Sequence, residues 1–273
     1  MIDIIPQNDA APTAIVGQAF AKGLQAHGVP CRFTKEPTSD YVAAWGWRRL
    51  MPYYKQGRQC IVLERGYIGN RSKWFSIGWN GLNGRADFIN KDVSNDRWLD
   101  KFEPMLHAWR EDGDYILLCG QVLGDMSLQG KNINSTYPKI AETLQRFYKM
   151  PVVYRPHPEA VKKGKGYAEL RGFETSRHER IEDAIDQAAL VWSYNSNSGV
   201  DAVMRGCPTA ALDHGSMAWD VATRGIGAAS RPCRDDWGRK MAYTQWTIEE
   251  IAAGVAWEHI GKPYRNFARM VGK

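Results

Sequence analysis

The chain has 273 residues, 44% hydrophobic and 24% charged, a composition that excludes a disordered polymer and leaves room for two small domains or one large one. A net charge of +6 and a pI near 9.0 favour an anionic substrate or a polyanionic partner such as nucleic acid. No apolar run approaches the roughly 20 residues of a membrane span, and Met1-Ile2-Asp3-Ile4-Ile5-Pro6 lacks the basic start and apolar core of a signal peptide, so a cytoplasmic protein is expected. Cys31, Cys60, Cys119, Cys207 and Cys233, odd in number and without Cys-x-x-Cys spacing, read as reduced packing residues rather than a disulfide frame or a zinc site.

The first half has the rhythm of a small α/β domain. Ile2 to Ile5 is a short strand, and Pro12 to Ala26 is an amphipathic helix offering Val16, Phe20 and Leu24 for burial, closed by Gly28. Strands follow at Cys31 to Thr34, Asp40 to Trp45 and Gln59 to Glu64, with a helix over Arg48 to Tyr54, a pattern that points to a parallel sheet. Glu64-Arg65-Gly66-Tyr67-Ile68-Gly69-Asn70-Arg71 stands at the end of the last of these strands, and the glycines and asparagines of Trp79 to Gly84 allow turns with positive φ. Trp45, Trp47, Trp74 and Trp79 fall near Arg48, Arg49, Arg65, Arg71 and Arg85, and aromatic faces flanked by cations can stack on sugars or bases and hold phosphates. The plainer reading makes most of these tryptophans core residues. Asp96 to Glu111 has helical spacing at Trp98, Phe102, Leu106 and Trp109, with Pro104 placed to kink or break it.

The second half begins with a βαβ unit. Asp114 to Cys119 is an apolar strand ended by Gly120, Tyr137 to Lys149 is a helix presenting Ile140, Leu144 and Phe147, and Pro151 to Tyr154 is the next strand. Ligands of such folds bind at the carboxyl ends of the strands, where Gln121 and Asp125 follow the first strand and Arg155-Pro156-His157-Pro158 the second. Prolines brace the latter segment, so a cation and an imidazole stand on stiff backbone and can donate to phosphate. Leu190 to Tyr194 is a strand that runs into Asn195-Ser196-Asn197-Ser198-Gly199 and a helix to Arg205; Asn197 and Ser198 suit donor-phosphate contacts, and helix capping explains them as well. Asp213-His214-Gly215 lies at a further strand end, where His214 can line the same pocket. Lys162 to Gly166 is a basic loop without the form of an NTPase loop, Thr247 and Glu250 form a capping box for a helix running to about His259, and Tyr264 to Met270 suits a terminal helix.

Leu117 to Ser127, with its Gln-x-x-x-Asp pattern, followed by Tyr154-Arg155-Pro156-His157-Pro158, resembles the paired motifs of capsule-polysaccharide glycosyltransferases of the Kdo-transferase type. Asn195 to Ala211 is similar to that family's Ser/Asn-rich loop, acid-bearing helix and Gly-x-Pro turn, and Glu64 to Tyr67 to its Glu-x-Gly-aromatic segment, with Arg65 where the family often has an acid. The resemblance implies an α/β fold of two Rossmann-like domains, called GT-B, with the active site in the cleft between them and a nucleotide-sugar donor held mainly by the C-terminal half. It implies Asp125 as the base, a plain turn-capping role being its alternative. Asp201 stands where the family usually has a Glu for the donor's hydroxyls, and the shorter acid weakens that role. Asp112-Gly113-Asp114 matches the Asp-x-Asp cation motif of another class of glycosyltransferases, yet it precedes a strand and centres on Gly, as a loop does; no metal and no cofactor besides the nucleotide-sugar co-substrate is expected.

The expectation is a metal-independent, inverting glycosyltransferase with residues 1–111 as an acceptor-side domain, 112–262 as the donor domain and 263–273 as a helix packing back across the joint. Asp125, Gln121 and His157 are its catalytic candidates; Arg155, His157, Asn197, Ser198, Asp201 and His214 its donor contacts; Glu64, Arg65, Tyr67, Trp79 and Arg71 its acceptor contacts. The basic, tryptophan-bearing surface favours a hydroxymethylated base in DNA as acceptor over a capsular or other acidic saccharide. A DNA-binding protein that keeps the fold without transfer, and a sugar-nucleotide epimerase, are the other readings.

Overall fold

The central strands carry unbroken apolar runs, so that each sheet buries both faces. The computed structural model describes residues 1–8, 11, 13–164, 168 and 170–264. In chain order its main elements are β1 (Ile2–Ile4), α1 (Ala14–Ala26), β2 (Cys31–Phe33), β3 (Tyr41–Trp45), α2 (Trp47–Tyr54), β4 (Gln59–Arg65), β5 (Trp74–Trp79), α3 (Asp96–Lys101), β6 (Tyr115–Cys119), α4 (Tyr137–Tyr148), β7 (Val152–Arg155), α5 (Pro158–Lys162), β8 (Glu174–Thr175), α6 (Ile181–Asp186), β9 (Ala188–Ser193), α7 (Ser198–Met204), β10 (Thr209–Ala211), β11 (Thr223–Arg224), α8 (Asp235–Ala242), β12 (Gln245–Thr247), α9 (Ile248–Ala252) and α10 (Val255–Ile260). They form two units, one of residues 1–102 with 238–273 and the other of residues 103–237.

The first unit carries a six-stranded sheet of order β12-β5-β4-β3-β1-β2. Ile61 and Leu63 of β4 pack on one face with Val16, Phe20 and Leu24 of α1, while Cys60 and Val62 pack on the other with Leu50 of α2, the two-residue period of a strand buried on both sides. The second unit carries a parallel sheet of order β11-β10-β9-β6-β7-β8. Ile116 and Leu118 of β6 face Tyr137, Ala141 and Leu144 of α4, and Leu117 and Cys119 face Ala184 and Ile185 of α6 and Ala202 of α7.

Five expectations change. The expected boundary near residue 111 and the assignment of 238–262 to the second domain give way to a chain that returns to the first unit, because β12 pairs antiparallel with β5, Gln245 opposite Ser76 and Thr247 opposite Trp74. β5 is itself a strand, antiparallel to β4, in a stretch to which the sequence reading assigns no element. The helix expected over 96–111 stops at Lys101, since Pro104 has no N–H to continue it. In α4 the buried residues are Tyr137, Ala141 and Leu144, and Phe147 is exposed. The Thr247–Glu250 capping box is present, but the helix breaks at Gly254, whose φ of +85° is left-handed, so α9 and α10 stand where one helix is expected. Gly113 packs so closely on Ala188 and Ala189 that a Cβ would lie 2.2 Å from the Ala189 nitrogen, which gives the Asp112-Gly113-Asp114 turn a packing role. Residues 265–273 and 165–167, on which most of the expected terminal helix and part of the basic loop fall, lie outside the described residues.

Arg97 anchors the returning segment. Its guanidinium lies 4.2 Å from the Trp246 ring centroid and donates to Glu250 Oε1 at 2.6 Å and Oε2 at 2.8 Å, to Ala242 O at 2.7 Å and to Gln245 O at 2.9 Å. Burial pushes the Glu250 carboxyl up, yet the bonds from Arg97 and the Thr247 N–H outweigh it and leave the acid below its ordinary value of 4.5. A carboxyl depressed on folding contributes stability that is present above its unfolded pKa and lost as pH falls through the lower folded value. Glu250→Gln is therefore expected to lower stability near pH 7 by about 1.5–3 kcal/mol, as for hydrogen bonds to charged groups, and the difference from wild type is expected to shrink below about pH 4, as read by urea melts across that range.

Candidate functional site

Parallel register sets the geometry of the second unit. Cys119 at the end of β6 pairs with Arg155 of β7 and Ser193 of β9, and Ser193 pairs with Ala211 of β10. Four strands thus end level, and the loops carrying Gln121 and Asp125, Pro156 and His157, Asn195 to Ser198, and Asp213 and His214 leave the sheet along one edge. Gly120 permits the first turn, because a Cβ there would come within 2.7 Å of the Tyr154 hydroxyl.

A buried polar network binds three of these loops, those after β6, β9 and β10. Gln121 Nε2 donates to Asn195 Oδ1 at 2.7 Å and to Ser127 Oγ at 3.2 Å, and the Asn195 N–H returns a bond to Gln121 Oε1 at 3.0 Å. Asn195 Nδ2 donates to the Ser127 carbonyl at 3.0 Å and to Asp213 Oδ1 at 3.2 Å, while Tyr194 Oη–H donates to Asp213 Oδ2 at 3.0 Å. The Gly215 N–H adds a third donor to Asp213 at 2.8 Å. Gln121, Ser127, Asn195 and Asp213 are all buried. Such groups are stable in the interior when their hydrogen bonds are made. Gln121 therefore acts as a cross-tie, and its amide is directed at the protein.

Asp125 is exposed and caps a single 3₁₀ turn, its Oδ1 accepting the Ser127 N–H at 2.8 Å. That turn is the one the network clamps through Ser127. His157 is half-buried at the start of α5, and its Nδ1 accepts the Glu159 N–H at 3.2 Å, so the neutral ring carries its proton on Nε2. Asn197 Nδ2 donates to Asp201 at 3.4 and 3.5 Å, Ser198 is buried, and His214 is exposed beyond Asp213. Arg155 departs from its expected role. Its guanidinium donates to the carbonyls of His178 at 2.6 Å and Glu179 at 2.9 Å and to Ser176 Oγ at 3.3 Å, bonds that hold the loop after β8.

The first unit has its own loops at the carboxyl ends of β3 and β4. The Arg65 N–H donates to Glu64 Oε1 at 2.9 Å, Arg65 Nη1 to the Arg71 carbonyl at 3.1 Å, and Arg71 Nε to the Gly66 carbonyl at 3.1 Å, a local brace in which Arg71 stays exposed. Arg48 and Arg49 are exposed after β3 beside half-buried Trp45 and Trp47. Burial withdraws two of the expected acceptor contacts. Tyr67 is 4% exposed, desolvation raises its phenol's pKa, and its backbone N–H is bonded to Gln245 Oε1. Trp79 is 3% exposed with its indole N–H on the Ile260 carbonyl, and because β5 runs back along β4 it pairs with Ile61, away from Glu64.

Ser127, Asn195 and Asp213 are the residues of the network that the sequence reading did not single out. Only nearness to Asp125, Asn197 and His214 marks them in the chain, since their hydrogen bonds link residues up to 74 positions apart.

No family model matches the sequence, and no curated protein does. Among solved structures, the β-Kdo 2,4 transferase of Thermosulfurimonas dismutans KpsC superposes with a TM-score of 0.63 at 14% identity, covering 92% of this chain and 98% of that one. The β-Kdo 2,7 transferase of the same KpsC gives 0.60 at 13% identity, covering 93% and 98%. The chain shares the GT-B fold of these transferases, two Rossmann-like α/β domains.

Asn195→Ala removes two donors and one acceptor from buried partners, and is expected to destabilise the protein by about 1–3 kcal/mol, the range for leaving a buried polar group unsatisfied. Thermal melts followed at 222 nm check this.

Proposed function

We propose that the protein is a glycosyltransferase that moves a sugar from a nucleotide-sugar donor to a hydroxyl acceptor by direct displacement. The observation that carries the reading is the level row of polar loops on the second sheet, with the Asp125 turn tied by Gln121 and Ser127 to the Asn195–Ser198 loop. Likeness to the KpsC Kdo transferases in fold supports it.

In the proposed step the Asp125 carboxylate takes the acceptor hydroxyl proton as that oxygen attacks the anomeric carbon. The bond from that carbon to the donor phosphate oxygen breaks, and its electron pair leaves on the nucleotide. Attack opposite the leaving group inverts the anomeric centre. His157, with its proton on Nε2, donates to the developing phosphate charge, and Asn197, Ser198 and His214 complete the donor contacts. No metal is assigned to the step, and the nucleotide sugar is a co-substrate.

The acceptor reading rests on charge. The first unit holds 20 Lys and Arg against 12 Asp and Glu, and the second 16 against 18. A cationic unit bearing Arg48, Arg49, Arg65 and Arg71 at its strand ends suits an anionic polymer. A hydroxymethylated base in DNA supplies both the hydroxyl and the polyanion. The transfer of Kdo by the KpsC enzymes favours an acidic saccharide as the second reading.

The test is mass spectrometry of reactions containing pooled nucleotide sugars and hydroxymethylated DNA, ordinary DNA or an acidic oligosaccharide. One added sugar on modified DNA alone is expected, and Asp125→Asn is expected to slow transfer by roughly 10²–10⁴-fold, the usual contribution of a positioned base. Transfer only to the oligosaccharide would replace the DNA acceptor, and no transfer to any of the three would sink the catalytic reading.

A further inference from the structure

We propose that Lys131 supplies the cation that holds the donor phosphate, an inference that rests on the glycosyltransferase reading and goes beyond the motif residues. Charge is the starting point. The loops along the carboxyl edge of the second sheet carry Asp125 and Asp213, with Asp201 in the first turn of α7, and the unit as a whole has more acids than bases. A nucleotide phosphate brought to this edge meets negative potential unless a cation stands there. Arg155, the cation nearest the motif histidine in sequence, spends its guanidinium on the carbonyls of His178 and Glu179.

Lys131 stands at the right place. Its ammonium lies 5.8 Å from the centroid of the Tyr194 ring, and Tyr194 directly precedes the Asn195–Ser198 loop proposed for the donor. The hydroxyl of the same tyrosine is bonded to Asp213, so one aromatic side chain neighbours both a buried carboxylate and an exposed ammonium. The backbone that carries the lysine is tied to the network: the Lys131 N–H donates to the Leu128 carbonyl at 3.0 Å, and the neighbouring Ser127 carbonyl accepts from Asn195. A long, exposed side chain on a clamped turn can reach the phosphate while its base stays fixed, and an ammonium meets phosphate as a point charge without a set orientation. The same bonds that hold the Asp125 turn thereby set the distance between the base and the leaving-group cation.

The experiment is isothermal titration of the full chain with UDP, GDP, CMP and their sugar conjugates as probes. Lys131→Ala is expected to weaken the preferred nucleotide by about tenfold or more, the loss of roughly one charge-assisted contact, with an unchanged melting temperature. Lys131→Arg is expected to restore most of the affinity. Lys139→Ala, the same loss of charge from the exposed side of α4, is expected to leave it as in wild type. The wild-type affinity is expected to fall with added salt more steeply than that of Lys131→Ala. Equal affinities for wild type and Lys131→Ala would overturn the assignment of Lys131 alone. A wild-type protein that binds none of the probes would overturn the donor-site reading itself, and Lys131 with it.

Discussion

The exchange of hydrogen bonds between the Gln121 amide and Asn195 is the constraint on which the second unit's polar edge depends. Loops at strand ends have no ladder of their own, and a backbone freed from the sheet needs other partners. Here one buried side chain from the loop after β6 supplies both a donor and an acceptor to the loop after β9, and Asn195 passes the connection on to Ser127 and Asp213. Three loops, those after β6, β9 and β10, are thereby held to one geometry across separations of 18 to 74 residues. A site that must keep a base and a phosphate cradle at fixed separation gains from such a cross-tie, because misplacement by an ångström weakens both proton transfer and charge stabilisation.

The first unit solves a different problem, that of a chain which leaves and returns. Residues 238–264 complete its sheet through β12, and the seam is sealed by polar bonds of long sequence separation. Gln245 is fully buried and accepts from the N–H groups of Tyr67 and Ile68 while donating to the Ile68 carbonyl, so the Glu64–Arg71 loop takes its shape from the returning strand. Arg97 closes the same seam from α3 with its fork on Glu250 and its face on Trp246. Removing the return segment would take Trp246 and Trp257, two of the largest fully buried side chains, out of the core and uncover Phe20 and Trp79, against which Trp257 packs.

The two units divide the charge as they divide the proposed work. The first unit, rich in arginine, attracts anions over distances comparable to the Debye length, roughly 8–10 Å at ordinary salt, whereas the second unit, with its small acidic excess, offers an anion only individually placed cations and amides. Tryptophans such as Trp79 are packed in the core, so at the strand ends of the first unit it is the exposed arginines that present the charge.

Much of the architecture was legible in the amino-acid order because it is local. Short continuous apolar runs mark β4, β6 and β9, the Thr247–Glu250 box marks a helix start, and Pro104 marks where a helical pattern ends. The motif residues Gln121, Asp125 and His157 were legible as polar groups just past strands. Their partners were not, since a hydrogen bond between Gln121 and Asn195 leaves no periodic trace in either segment. For the same reason the sequence allowed Arg155 as a phosphate ligand and Tyr67 as a surface aromatic; tertiary structure turned the first toward carbonyls of a distant loop and buried the second beneath Gln245. Local propensity and periodicity determined which elements exist and where polar loops leave them. Only the packed chain decided which of those polar groups bind one another and which remain for a ligand, because burial and long-range pairing are properties of the assembled sheets.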